Sequence, residues 1–399
     1  MKKRIFISMH YMELGGAEIS LIGLLQAIDY SRYDVDLFIH SHQGELMQYI
    51  PIEVNVLHEI VVYSMVEKPL VQVLKSGCIR IFFARLWAKW KYRKYLKRKG
   101  IDSSAAVFQY IGDYVTPILP SLYHLGEYDL AISFLHPHNI VRDKVLAKKK
   151  VCWIHTDYTR IDINLEQELP VWTAFDHIVS ISSDVTRTFL QVFPSLKDKI
   201  VEMENILSAE FVRKRAKEFD VSAEMLKWED VVNILSVGRY SDAKNYDNVP
   251  DICKRIRETG VNANWYIIGY GDDTLIRQQI HEAGMEQYVT LLGKRTNPYP
   301  YMKACDIYAQ PSRYEGKSVT VREAQMLCKP VVITNYPTAK SQIQDGVDGV
   351  IVPMDNEGCA EGIAEFIQDK DLQNRIIAYL HTHDYGNEAE IQKLDMLME

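Results

Sequence analysis

Short apolar runs alternate with amphipathic stretches along the whole chain, and this alternation limits the fold more than any other feature of the sequence. Continuous apolar strands are typical of parallel sheets covered on both faces, and the amphipathic stretches are typical of the covering helices. The predicted strands are Arg4–Ser8, Val35–Ile39, Val54–His58, Leu130–Phe134, Val151–His155, His177–Ser182, Val231–Val237, Asn264–Ile268, Val289–Leu292, Asp306–Gln310, Val331–Thr334 and Gly349–Val352. The pattern therefore predicts an α/β protein, with helices such as Ala17–Ile28 and Asp184–Phe193 between the strands.

The predicted strands fall into two sets, each sufficient for one Rossmann-like sheet. A chain of 399 residues with 47% apolar residues is long enough for two domains with packed cores. Between the two sets, residues 208–230 are charged and mainly helical in pattern, which places the hinge near 205–210. We therefore expect a first Rossmann-like domain over 1–206, a second over 207–380, and a C-terminal segment over 381–399.

Composition excludes several classes of protein. A formal net charge of −7 argues against a general nucleic-acid binder. The six cysteines are scattered, with no C-x-x-C pair and no metal-ligand spacing with histidine, as expected for thiols in a reducing, cytoplasmic compartment. No apolar run approaches the roughly 20 residues that span a bilayer, and the run after Met1-Lys-Lys-Arg4 is too short for a secretory signal.

Two carboxylates stand eight residues apart near the end of the second strand set, at Glu315 and Glu323. Glu315 falls in the loop leaving a predicted strand and Glu323 about one turn into the next helix, so both can face the carboxyl edge of the sheet, where ligands bind. Between them, the amides of Gly316, Lys317 and Ser318 stand at a predicted helix N-terminus, which favours a phosphate. The pattern thus indicates a site for a phosphorylated ligand with hydroxyl groups.

A purely structural interpretation of the same residues is a capping box. In that arrangement Glu323 accepts a hydrogen bond from the Thr320 amide, and Glu315 is simply solvated. The pair by itself leaves both interpretations open.

Two cations follow the first strand of the second set. Gly238 permits a tight turn and leaves Arg239 and Lys244 on one loop at the carboxyl edge. Arginine can form bidentate bonds and lysine acts as a compact charge, so the two suit a diphosphate. A solvated charged loop is the structural alternative.

Glycines end the next two strands. Gly269 and Gly271 follow one strand and Gly293 follows the other, so that backbone can approach a ligand closely. An isolated G-x-G is weak evidence, and an ordinary strand-ending glycine is the simpler interpretation of Gly293.

The order and spacing of these signals resemble the donor-binding half of the family 4 retaining glycosyltransferases, over about 230–370. The matching positions are Gly238-Arg239 with Lys244, Gly269 and Gly271, Gly293, Asp306 with Pro311-Ser312, Glu315-Gly316 through Glu323-Ala324, and Lys329-Pro330. The resemblance implies the GT-B fold, in which two Rossmann-like parallel-sheet domains face each other across a cleft. It also implies a nucleotide diphosphate sugar as the donor, bound by the domain over 207–380, with the acceptor bound by the domain over 1–206 and the segment 381–399 crossing back to the first domain.

The resemblance further implies a role for each matching residue. Arg239 and Lys244 would hold the diphosphate, Glu315 the sugar hydroxyls and Glu323 the ribose of the nucleotide. The remaining predicted substrate-binding residues are Gly15, Gly16, Gly269, Gly271, Gly293, Gly316, Lys317 and Ser318.

The first half adds a glycine loop and a group of histidines. Gly15 and Gly16 resemble the N-terminal glycine loop of the family, whose amides would close onto the donor phosphate. His136, His138 and His155 each follow a predicted strand. Members of the family often have a histidine on such a loop in contact with the sugar, so His136 is the predicted catalytic candidate; a structural histidine is the alternative.

Two further positions match the family. Asn205 corresponds to an asparagine near the interdomain crossing and is interpreted as structural or acceptor-side. Residues 387–399 resemble the helix that closes this fold.

No metal and no cofactor are expected. The first Asp-x-Asp, at Asp34 and Asp36, lies at the start of a strand and away from the carboxyl edge. Arg239, Lys244 and helix dipoles would replace a cation at the departing diphosphate. Lys317 and Ser318 depart from the residues that commonly follow the first glutamate in the family, so donor preference is not carried over.

The segment 79–99 contains nine Lys or Arg and no acid. On a helix, its apolar residues at three- and four-residue spacing form one stripe, which consists of Ile79, Phe82, Phe83, Leu86, Trp87 and Trp90. Such a helix can lie among the headgroups of an anionic membrane. Packing of the stripe on the domain core is the equally weighted alternative, and nucleic acid is a weaker third.

Together these observations predict a retaining glycosyltransferase that acts on a glycan or lipid-linked acceptor in surface polysaccharide or lipopolysaccharide synthesis. Its location would be cytoplasmic, with attachment to the inner face of the plasma membrane through 79–99 left open. A GT-B sugar-nucleotide epimerase, or a non-catalytic nucleotide-sugar-binding partner of a membrane glycosylation complex, are the alternatives. An NAD-dependent oxidoreductase fits less well, because the loop from Gly15 to Glu18 lacks the G-x-G-x-x-G spacing.

Overall fold

The structure is a computed structural model that describes residues 2–13, 15–225, 229–315 and 318–399, apart from the side chain of Arg160. The chain divides into two compact units. The first unit comprises Met1–Leu207 with Asn387–Glu399, and the second comprises Ser208–Gly386. Each unit contains one parallel sheet with helices between its strands, which confirms the predicted α/β class.

The sheet of the first unit has seven parallel strands in the order β3-β2-β1-β4-β5-β6-β7. The strands are β1 (Lys3–Met9), β2 (Tyr33–Ile39), β3 (Asn55–Val56), β4 (Glu127–Ser133), β5 (Leu146–Ile154), β6 (His177–Ser180) and β7 (Ile200–Glu202). The central strands are buried on both faces, as their continuous apolar sequence predicts. Two edge strands differ from the prediction: β3 is shorter than 54–58, and β7, with three residues, is too short to be recognised.

The helices of the first unit include one that is much longer than the rest, the basic helix α4. They are α1 (Gly16–Ala27), α2 (Val61–Ser64), α3 (Leu70–Lys75), α4 (Ile79–Lys99), α5 (Ala106–Val115), α6 (Asn139–Lys144), α7 (Leu165–Thr173) and α8 (Ser183–Val192). Within the described ranges, no helix is both long enough and apolar enough to cross a membrane.

The second unit contains a six-stranded parallel sheet in the order β10-β9-β8-β11-β12-β13. Its strands are β8 (Val232–Val237), β9 (Ala263–Ile268), β10 (Val289–Gly293), β11 (Ile307–Gln310), β12 (Val331–Thr334) and β13 (Val350–Val352). Its helices are α9 (Ala209–Arg215), α10 (Val249–Glu258), α11 (Thr274–Ala283), α12 (Tyr299–Ala304), α13 (Val319–Met326), α14 (Asn356–Gln368) and α15 (Lys370–Thr382). All six strands predicted for the second set are present.

The chain end returns to the first unit. A 3-10 turn (Glu388–Gln392) and the short helix α16 (Lys393–Met396) pack there. The Asn387 side chain accepts a hydrogen bond from the Leu207 amide (2.8 Å) and donates one to the Asn205 carbonyl (3.0 Å). The Asn205 side chain in turn accepts from the Ser20 hydroxyl on α1 (2.6 Å). Asn205 therefore has a structural role within the first unit.

Candidate functional site

The second sheet changes its winding direction between β8 and β11. From these two central strands, successive strands are added outward on both sides. Ligands of open α/β sheets bind outside the carboxyl ends of the strands at such a point. The loops that leave β8 and β11 start there, at Gly238 and Pro311, and they carry the cations and the first glutamate predicted to bind the donor.

An ion pair joins these two loops. Lys244 Nζ lies 2.5 Å from Glu315 Oε1, with side chains only 18% and 13% exposed. The same carboxylate oxygen accepts a hydrogen bond from the Ser312 hydroxyl (2.7 Å), and the Thr338 hydroxyl donates to the Glu315 carbonyl (2.8 Å). A lysine ammonium has three donors, so Lys244 can hold Glu315 and still donate to an anionic ligand.

Buried polar groups next to this ion pair are joined by hydrogen bonds. Gln310 donates to the Ser312 hydroxyl (2.9 Å) and accepts from the Tyr308 hydroxyl (2.8 Å). Tyr308, Gln310 and Ser312 are fully buried, so their hydrogen bonds fix the Ser312 side chain that donates to Glu315. Ser312 was predicted only as a position that matches the family, and its place two residues after a strand was the available signal.

Arg239 lies on the loop after β8 and is exposed. In the part of the chain that the structure describes, its side chain makes no hydrogen bond and no ion pair. It is therefore a cation at the carboxyl edge whose donors are open to a ligand.

Backbone packing accounts for one predicted glycine. A Cβ on Gly269 would lie 2.2 Å from the Gly238 carbonyl oxygen, so the two loops touch through backbone. Gly271 (φ +130°) and Gly293 (φ +71°) have backbone conformations that L side chains rarely adopt. The three glycines keep these loops short and close to the sheet edge, with or without a ligand.

Glu323 is buried on α13 and accepts a hydrogen bond from the Tyr299 hydroxyl (2.7 Å). Burial raises the pKa of Glu323 to about 7, although this hydrogen bond and the nearby charge of Arg215 act in the opposite direction. The capping-box interpretation is wrong, because α13 begins at Val319 and Thr320 lies inside the helix. A buried acid with one neutral donor and a raised pKa is typical of functional sites.

Of the three predicted phosphate-binding amides, Gly316 and Lys317 lie outside the described residues. The Ser318 amide donates to Gln342 Oε1 (3.1 Å), and Gln342 Nε2 donates back to the Ser318 carbonyl (2.5 Å). A phosphate at this amide would compete with the Gln342 side chain.

In the first unit, His136 pairs with the buried Glu168. The distance from His136 Nε2 to Glu168 Oε1 is 3.2 Å, and His136 is 22% exposed. Glu168 also accepts hydrogen bonds from Gln109 Nε2 (2.6 Å) and Trp172 Nε1 (2.9 Å). Burial lowers the pKa of His136, but the charge and hydrogen bond of Glu168 outweigh burial and raise it. Glu168, which the sequence analysis missed, thus orients His136.

The other two histidines are structural. His138 is fully buried, contacts Trp172, and makes a 2.8 Å hydrogen bond from Nδ1 to the Ser133 hydroxyl. His155 packs on Phe134, and burial lowers its pKa to about 4. His136 is therefore the histidine of the three that is both accessible and charge-paired.

A small cavity of about 290 Å³ follows β1 and β2. His10, directly after β1, makes a 2.8 Å contact from Nδ1 to Glu67 and stacks on His40. Its Nε2 is buried and has no hydrogen-bond partner among the described residues. His10 was not among the predicted site residues, although its position directly after a strand was an available signal.

The predicted glycine loop stands at the start of α1. Gly16 is the first helical residue, and a Cβ there would meet nothing within 4 Å. Glu18, in the first turn, is buried and folds over Gly15. Burial raises the pKa of the Glu18 carboxyl. An anion at this helix end would lie beside that carboxylate.

Several solved structures share the fold of the chain. The structure of Anabaena HepE in complex with UDP and glucose matches with a TM-score of 0.65 at 16% identity, covering 99% of this chain and 98% of that one. A glycosyltransferase from Rickettsia africae ESF-5 matches with a TM-score of 0.63 at 15% identity, again over 99% and 98%. At these identities the likeness shows the fold alone, which is that of GT-B proteins with two parallel-sheet domains.

Residues 220–382 match the family model "Glycosyl transferases group 1". A Campylobacter jejuni N-acetylgalactosamine-N,N'-diacetylbacillosaminyl-diphospho-undecaprenol 4-alpha-N-acetylgalactosaminyltransferase is 32% identical over 144 residues, which cover 35% of this chain and 38% of that protein. An N,N'-diacetylbacillosaminyl-diphospho-undecaprenol alpha-1,3-N-acetylgalactosaminyltransferase of the same organism is 25% identical over 75% of this chain and 67% of that protein. The chain thus spans less than half the length of the first of these relatives.

Proposed function

We propose that the chain is a retaining glycosyltransferase that moves a sugar from a nucleotide diphosphate sugar to a hydroxyl of a glycan or lipid-linked acceptor. The observation that carries the proposal is the Lys244–Glu315 ion pair at the carboxyl edge of the second sheet, within the residues that match the model of glycosyl transferases group 1. The lysine can bind the anionic diphosphate of such a donor, and the neighbouring carboxylate can accept hydrogen bonds from the hydroxyl groups of its sugar.

In this proposal the second unit binds the donor. Lys244 and Arg239 stabilise the charge that develops on the departing diphosphate. Glu315 accepts hydrogen bonds from the sugar hydroxyls, and Glu323 binds the ribose after giving up its bond to Tyr299. Main-chain groups at Gly269, Gly271, Gly293 and Ser318 complete the proposed contacts of the second unit, and those of Gly15 and Gly16 are the anion-binding groups proposed in the first unit.

The proposed reaction exchanges one bond at the anomeric carbon for another on the same face. The bond to the phosphate oxygen breaks as the acceptor oxygen attaches, so the configuration is kept. The acceptor proton passes to the departing phosphate oxygen, and no protein base is required. His136, oriented by Glu168, is the catalytic residue proposed in the first unit, and no metal ion or cofactor takes part in this scheme.

Relatives suggest the first substrates to try. HepE was solved with UDP and glucose, so a UDP-sugar is the first donor to test. The two Campylobacter jejuni proteins are named for diphospho-undecaprenol-linked substrates, so a lipid-linked acceptor used in surface polysaccharide or lipopolysaccharide synthesis is the first acceptor to test. The proposed place of action is cytoplasmic, at the inner face of the plasma membrane.

Donor binding by the full chain tests the first half of the proposal. Thermal shifts are compared for UDP-, GDP- and ADP-sugars, since a ligand at 100 times its Kd adds about 2.7 kcal/mol to the unfolding free energy. Arg239→Ala should abolish the shift given by the preferred donor. Arg375→Ala, an exposed arginine on α15, is the matched control and should keep it. Equal shifts for both variants would exclude Arg239 from the donor site.

Transfer assays test the second half. Glu315→Gln keeps an oxygen that can accept from Ser312 but removes the charge that pairs with Lys244, and should lower kcat/KM by about 10²–10³-fold. Glu361→Gln makes the same charge change on an exposed face of α14 and should leave kcat/KM unchanged. Full activity of Glu315→Gln would refute the assignment. A changed donor sugar in the absence of acceptor would identify an epimerase, and no turnover at all would identify a non-catalytic partner.

A further inference from the structure

Helix α4 is anchored to the first unit by one of its faces. Ile81, Ala88 and Tyr95, spaced seven residues apart, are buried. Ala88 and Tyr95 pack against α5, and the Tyr95 hydroxyl donates to Asp162 (2.9 Å). This face fixes the orientation of the whole helix, whose 21 residues span about 31 Å.

A second apolar face of α4 points outward. It consists of residues that are between 39% and 63% exposed, namely Ile79, Phe83, Leu86, Trp87 and Trp90. Phe82 alone of the predicted stripe packs on the core. The core-packing interpretation of the stripe is therefore wrong for the other five residues. We call these five residues the outer face of α4.

The outer face continues onto the neighbouring segment. A groove of about 980 Å³ runs between the outer face and Tyr114, Pro117 and Ile118, and Ile118 is itself 40% exposed. Large contiguous apolar patches are uncommon on soluble proteins and mark sites of interaction.

Cations surround this apolar surface. Those on α4 that are exposed are Arg80, Lys89, Arg93, Lys94, Lys97, Arg98 and Lys99. The Lys94 ammonium lies 3.9 Å from the centre of the Trp90 ring, and the Lys91 ammonium lies 5.6 Å from both the Trp87 and Trp90 rings. Among the described residues, none of the α4 cations forms an ion pair with a carboxylate. The helix therefore presents uncompensated positive charge beside exposed aromatic rings.

We propose that the outer face of α4 docks on an anionic lipid surface. Tryptophan rings are favoured at the boundary between headgroups and acyl chains, and lysines and arginines beside them are attracted to anionic headgroups. Exposed Ile79, Phe83 and Leu86 find an apolar environment there, which neither a nucleic-acid backbone nor water offers. The inference goes beyond the transfer reaction, and it would bring a lipid-linked acceptor to the first unit.

Vesicle co-sedimentation tests the proposal without donor or acceptor, so its result is independent of the transferase assignment. The full chain should bind phosphatidylglycerol-containing vesicles and bind pure phosphatidylcholine vesicles far more weakly. Arg93→Gln/Lys94→Gln/Lys97→Gln removes three α4 charges and should lower the affinity on the order of a hundredfold. The matched control, Lys217→Gln/Lys254→Gln/Lys303→Gln, removes three exposed charges from the second unit and should retain it.

A second variant tests the apolar part of the surface. Phe83→Ala/Trp87→Ala should lower vesicle affinity at least about tenfold and reduce the blue shift of tryptophan emission on binding. Unchanged vesicle binding by both α4 variants would overturn the proposal. The proposal would also be overturned if the α4 variants kept their vesicle affinity but lost nucleic-acid binding, or if they kept it but changed from dimer to monomer in sedimentation equilibrium.

Discussion

Replacing Glu323 by Gln removes a buried ionisable group while keeping an oxygen that can accept the Tyr299 hydrogen bond. Burial raises the pKa of Glu323 from its ordinary 4.5 to about 7. The folded chain therefore binds this proton more tightly than the unfolded chain does. Below pH 4.5 both states are protonated and Glu323 has no effect; as pH rises from 4.5 to 7 stability is lost, and above 7 the loss is complete.

The size of the loss follows from the difference between the two pKa values. At 1.36 kcal/mol for each pKa unit, the ionised Glu323 costs the folded state about 3 kcal/mol above pH 7. Glu323→Gln carries no such cost at any pH. The free energy of unfolding of the variant, relative to that of the wild type, should therefore be about 2–3 kcal/mol higher at pH 8 than at pH 5.

Urea unfolding of the full chain at pH 5 and pH 8 measures this difference. Glu361→Gln, an exposed carboxylate with the same chemical change, should differ little from the wild type at either pH. The donor-induced thermal shift of Glu323→Gln should fall, since the variant loses the carboxylate proposed to bind ribose. An equal stability change at both pH values, or a greater loss at pH 8, would refute the reasoning.

Two further substitutions test the first unit by urea unfolding. Glu168→Gln should lower the free energy of unfolding by about 2–4 kcal/mol at pH 6 and by less at pH 9. The raised pKa of His136 gives stability that is present below pH ~6.5 and is lost as pH rises through that raised value, whereas the stability from the lowered pKa of Glu168 is lost only at acid pH. An equal loss at pH 6 and pH 9 would contradict the pairing. Gly23→Ala places a Cβ 1.9 Å from the Ile206 carbonyl oxygen and should cost about 1–3 kcal/mol, whereas Gly16→Ala, which meets nothing within 4 Å, should stay within about 0.5 kcal/mol; similar effects for both would count against the close contact.

The α/β class and all six strands of the second sheet follow from the sequence. Strands that are buried on both faces must be apolar throughout, so their pattern does not depend on which elements cover them. Residues directly after such strands must lie at the carboxyl edge, which is why Arg239, Lys244 and Glu315 could be placed there. The edge strand β7 was missed because Ile200–Glu202 is too short to give a pattern.

Side-chain partners could not be predicted in the same way. Tyr299 lies 24 residues before Glu323, and no local rule joins them, whereas the local capping rule gave a wrong partner. His136 and His138 occupy the same short motif, yet one is accessible and the other is sealed against Trp172. Only the packing of α7 against this loop distinguishes them.

The sequence by itself determined that the chain forms two parallel-sheet units and that its cations and acids gather at strand ends, because periodicity and strand polarity are local properties. It also determined that α4 is basic and apolar at once. Which face of α4 is buried was decided only in the tertiary structure, since Ala88 and Tyr95 pack against α5 while five residues of the predicted stripe stay exposed. The Lys244–Glu315 pair and the buried proton of Glu323 were likewise decided there, because charge and pKa depend on neighbours distant in the chain.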